Sequence, residues 1–182
     1  LGFEAIELPV HAGNPFVDLE ACLAGGWRTL RQKVADAGLR ISALSVHQEG
    51  QYLLAPHPVH TEVEDRVRWA SSRVVQAAAL AQRLEVGVVC GFTGCADWSQ
   101  FFPWPHPEGW AAMEAPFRAV MRPVLDACAG HGVVFAHECH PFQFAYDLET
   151  AERAVELVDG HPAFGFNLDP ANLAFAEIDP CA

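Results

Sequence analysis

Val133-Val134-Phe135-Ala136-His137-Glu138-Cys139-His140-Pro141 is the stretch whose reading decides the fold. An apolar run of strand-forming residues ends abruptly in titratable ones, as in a buried strand that delivers a carboxylate and imidazoles to its C-terminal end. Side chains two apart share a face of a strand. Glu138 and His140 therefore continue the line of Val134 and Ala136, while His137 and Cys139 point the other way. Phe164-Gly165-Phe166-Asn167-Leu168-Asp169-Pro170 is built alike, with Asn167 and Asp169 on one face.

Outward from these two stretches the chain alternates strand and helix patterns. Residues 3–8 read as a short strand closed by Pro9 and the turn-prone Gly13-Asn14-Pro15. Residues 18–37 have helical character interrupted at Gly25-Gly26, and Gly38 is a fitting stop. A second strand, 41–47, ends in His47-Gln48-Glu49-Gly50, and a loop over 51–60 follows. Thr61-x-x-Glu64 has the form of a capping box, and Val63, Val67, Ala70, Val74, Ala77, Ala81 and Leu84 then form the stripe of one long amphipathic helix. A third strand over 86–91 empties into 92–110, which holds Trp98, Trp104 and Trp110. So long and aromatic a segment is more than a connector; it reads equally as a self-packed lid, a subunit contact or a substrate cover. A helix over 113–129, bent at Pro123, leads into the opening stretch. A helix over 148–158 and a strand over 164–169 complete the pattern.

Five strands alternating with helices predict an α/β fold, a single domain over 1–182, with a parallel sheet joined by right-handed crossovers. In closed barrels and open sheets alike, functional residues gather at the C-terminal strand ends. His47, Glu138, His140 and Asp169 all fall there. Spacing alone leaves barrel and open sheet undivided.

Composition narrows the function classes. With 51% hydrophobic residues in 182, the chain is globular. A net charge of −12, from 23 acidic against 11 basic residues, disfavours a nucleic acid partner. No apolar run approaches the roughly 20 residues of a membrane span, and Leu1-Gly2-Phe3-Glu4 lacks a basic or cleavable leader. A soluble, cytoplasmic protein is expected. The six cysteines form no CxxC pair and read as buried thiols of a reducing compartment. GxGxxG, GxxxxGK[ST] and GxSxG are all absent, so neither a nucleotide loop nor a serine nucleophile elbow is indicated.

Isolated carboxylates are costly to remove from water. Glu138 and Asp169, ending two apolar strands, therefore demand partners. Hydrogen bonds from loop backbone or arginine side chains would serve; so would a divalent metal, since carboxylates with imidazoles suit Mg, Mn, Co or Zn. His140 and His47 stand open between ligand, substrate contact and structural role.

Four segments together resemble the xylose-isomerase-like TIM barrels: 2–8, 38–45, the strand ending in Glu138-Cys139-His140-Pro141, and 165–170. Within that superfamily the chain looks most like the sugar phosphate isomerase/epimerase proteins. The resemblance implies a (β/α)8 barrel, incomplete here, whose second to sixth strands this chain supplies. It also implies that Glu138 and Asp169 bind a divalent metal, with Glu138 serving as acid/base. The family's remaining ligands, a His on the seventh strand and a Glu on the eighth, have no counterpart in this sequence. Asn172 stands where the family commonly has His after Asp-Pro-x.

On this resemblance the expected activity is metal-assisted isomerisation or epimerisation of a sugar, sugar phosphate or related polyol through an enediolate. His47, His140, Asn172 and Trp98 would contact substrate, and a homo-oligomer is compatible. A keto-inositol dehydratase would use the same chemistry. A catalytically incomplete barrel or binding module is the non-enzymatic alternative.

Overall fold

The structure, a computed structural model, describes residues 2–96, 107–175 and 177–179. Short runs of apolar and small residues form β1 (Ala5–Pro9), β2 (Arg40–Ser45), β3 (Val88–Gly91), β4 (Val134–Glu138) and β5 (Phe164–Asn167). They pair in parallel in the order β1-β2-β3-β4-β5. An open doubly wound sheet reverses its strand order at a switch point. Here each strand adds to the same side of the one before it, which is how a barrel wall is laid down.

The connecting helices are α1 (Leu19–Ala21), α2 (Trp27–Asp36), α3 (His47–Gly50), α4 (Val63–Leu84), α5 (Pro107–Ala111), α6 (Glu114–Gly130), α7 (Leu148–Leu157) and α8 (Pro170–Phe175). Among them α2, α4, α6 and α7 pack in succession. Side-chain size divides the two faces of the sheet. Leu44, Val89 and Phe135 join the large core with Ala70, Val74 and Ala77 of α4 and Phe117 and Leu125 of α6. The opposite face carries the small residues Ala43, Cys90 and Ala136, with Val88 beside them. This is the inner face, and Glu138 continues it. His137 takes the outer direction expected of it and is fully buried.

Several local expectations change. The strands end earlier than their apolar runs suggested, so His47 opens the turn α3, and His140 and Asp169 lie just past their strands. The capping box at Thr61 does not form: Glu62 is the N-cap residue of α4 and its side chain makes no capping bond. The helix starts one residue too late for Thr61 to reach its free N–H groups. Instead Asp65 in the first turn hydrogen-bonds His60 and Arg68, at 2.7 and 2.8 Å. Helix α6 runs through Pro123 to Gly130, within a residue of its expected bounds. Helix α7, by contrast, has a reciprocal cap between Asp147 and Thr150.

Two features hold the C-terminal ends of the strands in place. Gly94, at φ +82°, sits where an added Cβ would lie 1.8 Å from the carbonyl oxygen of Gln51, so the segments after β2 and β3 meet backbone to backbone. Arg73, buried within α4, donates from Nε to Glu49 of α3 at 2.7 Å and also pairs with Glu20. The second oxygen of Glu49 accepts the Ala12 N–H at 2.9 Å. One buried pair thus ties the segments after β1 and β2 to α4.

No helix among the described residues is long and apolar enough to cross a membrane. Trp98 and Trp104 lie outside the described residues. Trp110 packs inward, donating Nε1–H to the Phe144 carbonyl at 2.9 Å and stacking on its ring.

Candidate functional site

The site is built on Glu138, the last residue of β4, which the pleat directs to the inner face. Asn167, its register partner on β5, donates from Nδ2 to Oε2 at 2.9 Å. His47, at the start of α3, brings Nε2 to the same oxygen at 2.9 Å. Asn172 of α8 donates to Oε1 at 3.1 Å. The Glu138 side chain is only 14% exposed. Burial by itself would favour the protonated acid, but the hydrogen bonds and charge of His47, with the amides of Asn167 and Asn172, outweigh it and hold the carboxyl below its ordinary range. Glu138 is ionised. Among the described residues two donors occupy Oε2 and one occupies Oε1, so of the two oxygens Oε1 has the fewer donors.

Around this carboxylate the inner face is acidic. Burial, followed by the charge and hydrogen bond of Glu7 and the charge of Glu138, pushes the Cys90 thiol up to about 12. Burial does the same for Cys139, helped by Asp147 and Glu138. Neither thiol is a nucleophile at neutral pH. His137, behind the sheet, brings Nε2 to the Ala145 carbonyl at 3.1 Å, and burial lowers it to about 4, so it is neutral.

Of the residues singled out in the sequence, His47, Glu138 and Asn172 converge. Asp169 makes a different contact: its Oδ1 accepts the Ala171 N–H at 2.8 Å and caps the start of α8. His140 does not join the Glu138 cluster; its Nδ1 meets the Pro141 carbonyl and its ring lies 5.1 Å from that of Phe92. Phe92 had carried no expectation beyond belonging to an aromatic segment. It stands edge-on to His47 at 4.5 Å and so lies between the two imidazoles. Asn167 had been placed on the site face without a role, and the strand register assigns it to Glu138. The signal available for each was its own position at the end of a strand, Phe92 just past β3 and Asn167 the last residue of β5.

Oε1 of Glu138 and the second oxygen of Asp169 are hard donors suited to Mg or Mn. No group of three or more His, Cys, Asp or Glu side chains able to hold a metal occurs among the described residues. Glu138 and Asp169 are oxygen donors of the type such an ion takes, each engaged with its own partners.

Comparison with known proteins agrees with this architecture. Similar solved structures include a probable 3-DHS dehydratase from Bacillus anthracis, with TM-score 0.62 and 20% identity over 98% of this chain and 57% of that one. A D-psicose 3-epimerase from Clostridium cellulolyticum has TM-score 0.63 and 18% identity over 100% of this chain and 57% of that one. A xylose isomerase-like TIM barrel protein from Mycobacterium smegmatis, in complex with magnesium, has TM-score 0.63 and 21% identity over 94% and 53%. At these identities the likeness is one of fold, and the chain spans little more than half the length of each. No curated protein sequence matches. The family model for the xylose isomerase-like TIM barrel matches residues 1–181, and five parallel strands in sequential order with helices on one face are its wall: the chain belongs to the xylose isomerase-like TIM barrel family.

Proposed function

We propose that this chain supplies Glu138 and Asp169 to a divalent-metal site that isomerises or epimerises a sugar or related polyol by moving a proton at the carbon beside a carbonyl. The observation that carries the reading is Glu138: an ionised carboxylate on the inner face, at the C-terminal end of a barrel strand, with the fewer donors on Oε1. A bound Mg, Mn, Co or Zn ion supplies positive charge against the negative charge that develops as the proton leaves.

The protein's residues do the rest. Glu138 offers Oε1 to the cation, and Oε2 is the oxygen through which it exchanges a proton when His47 or Asn167 releases it. The His47 Nε2–H and the Asn172 amide sit where they can turn from Glu138 to substrate hydroxyls. His140, whose ring meets Phe92 as that of His47 does, is a further candidate contact to substrate. Dehydration of a keto-inositol begins with the same proton abstraction and is the second enzymatic reading. A barrel segment that binds polyol without turnover is favoured by the three donors already on Glu138.

Metal analysis of the purified chain, followed by titration with Mn or Co, tests the proposal. Stoichiometric metal, with affinity reduced about 10- to 100-fold by Glu138→Gln, is expected for loss of a ligand or its orienting partner. No retained metal and an unchanged affinity in Glu138→Gln would refute it. Solvent deuterium uptake into ketose or keto-inositol substrates then separates turnover from binding.

A further inference from the structure

Residues 56–61 are anchored at both ends and loosely held between. Before them Leu53, Leu54 and Ala55 are buried, and the Leu54 and Ala55 N–H groups donate to the carbonyls of Thr93 and Gln51, each at 3.0 Å. After them the Arg66 N–H donates to the Glu62 carbonyl at 2.9 Å as α4 begins. Pro56 and Pro58 carry no N–H, and among the described residues 56–61 enter no backbone-to-backbone hydrogen bond. Two of their N–H groups turn instead to one side chain: Nδ1 of His57 accepts Val59 N–H at 3.0 Å and His60 N–H at 2.9 Å. Pro56, Pro58, Val59 and Thr61 are exposed.

The segment lies on Trp69. The His57 ring is 4.8 Å from the indole and 4.3 Å, edge-on, from Tyr52 of the turn Gln51–Leu53. The His60 ring stacks on the indole at 5.1 Å and lies 4.8 Å from that of His57. Because Nδ1 of His57 accepts two N–H groups, its ring proton is on Nε2. A second proton, at Nδ1, would set an N–H against two others and break both bonds. The charged groups alongside do not invite it: His60 and Arg68 engage Asp65, at 2.7 and 2.8 Å, Arg66 adds a further cation, and Glu62 and Glu64 are exposed. Burial, then the neighbouring His60, lowers the His57 pKa. Indole and phenol faces attract cations, but a ring that turns to use them gives up the same two bonds.

We propose that residues 56–61 are an acid-released flap: neutral His57 latches it, and a proton taken up at Nδ1 lets it lift and uncover the Trp69 indole. The hinges are Ala55 and the start of α4, so the segment from His47 to Leu54 keeps its place. The released surface is the aromatic face formed by Trp69 and Tyr52.

NMR of the whole chain as pH falls from about 7.5 to about 4.5, across the imidazole range, tests this. The Val59 and His60 amide signals and the Trp69 indole signal should move together with the His57 ring, at one midpoint below the ordinary histidine value. Between the unfolded and folded pKa of His57 the protection of those two amides should fall about tenfold per pH unit, one proton's worth, while the Leu54 and Ala55 amides stay protected. Acrylamide quenching of Trp69, read as the difference between the chain and its Trp69→Phe variant, should rise on acidification. His57→Asn, which keeps an acceptor, should hold the flap shut throughout, and His60→Gln should still release it. The proposal is overturned if Trp69 stays equally shielded while His57 titrates, if the signals move at separate midpoints, or if release survives in His57→Asn. The titration of the unsubstituted chain decides the first two without any variant having to fold.

Discussion

Replacing Arg73 by Met should cost more stability than replacing Arg73 and Glu49 together by Met. Both side chains are 7% exposed, and Nε of Arg73 lies 2.7 Å from Oε2 of Glu49. Removing Arg73 leaves the Glu49 carboxylate with only the Ala12 N–H among the described residues, an uncompensated buried charge worth about 3–5 kcal/mol. Against a total stability of roughly 5–15 kcal/mol, that loss is large. In the double variant no charge remains inside. Ala12 loses an acceptor, at about 1–3 kcal/mol, while Glu20, 58% exposed, returns to water. The expected difference is therefore about 2 kcal/mol in favour of the double variant. Urea denaturation of wild type, Arg73→Met, Glu49→Met and the double variant measures it as shifts in midpoint at constant slope. A loss below about 1 kcal/mol for Arg73→Met, or a double variant as unstable as the sum of the singles, would refute the reasoning. Because Glu49 shares α3 with His47, the same variants should disturb the NMR signal of the His47 imidazole.

Two further outcomes follow from local geometry. Nδ1 of His57 accepts the N–H groups of Val59 and His60, at 3.0 and 2.9 Å, and burial, then the neighbouring His60, lowers its pKa from 6.5. The unfolded turn takes up the proton first, so its stability is complete above the unfolded value and is lost as pH falls through the folded one; amide protection at Val59 and His60 should decline over that window, and His57→Asn, which keeps an acceptor without titrating there, should flatten the change. Gly94→Ala should lower stability by roughly 3 kcal/mol or more, through left-handed backbone strain and the collision with the Gln51 carbonyl; a thermal midpoint within a degree or so of wild type would contradict that packing.

Much of the site's framework was legible because it is local. The alternation along β4 assigned Glu138 and His137 to opposite faces, and both lie as the pleat requires. The stripe of α4 was equally plain. What failed locally failed by small shifts: a helix beginning at Val63 places Thr61 too far out to cap it, although the motif is intact. Asp169 shows a different limit, since a carboxylate just before a helix suits a cap as well as a metal.

By itself, then, the sequence determined the order of strands and helices, the faces of β4 and the end of the sheet at which polar residues gather, because periodicities of two and about 3.6 are properties of neighbouring residues. Only the tertiary structure decided that the sheet runs in barrel order, that His47 meets Glu138 across 91 positions and Asn172 meets it across 34, and that Phe92 lies between two imidazoles. It also decided that Arg73, embedded in an apolar stripe, is paired within the core. These are matters of which distant segments lie side by side, and no local periodicity encodes them.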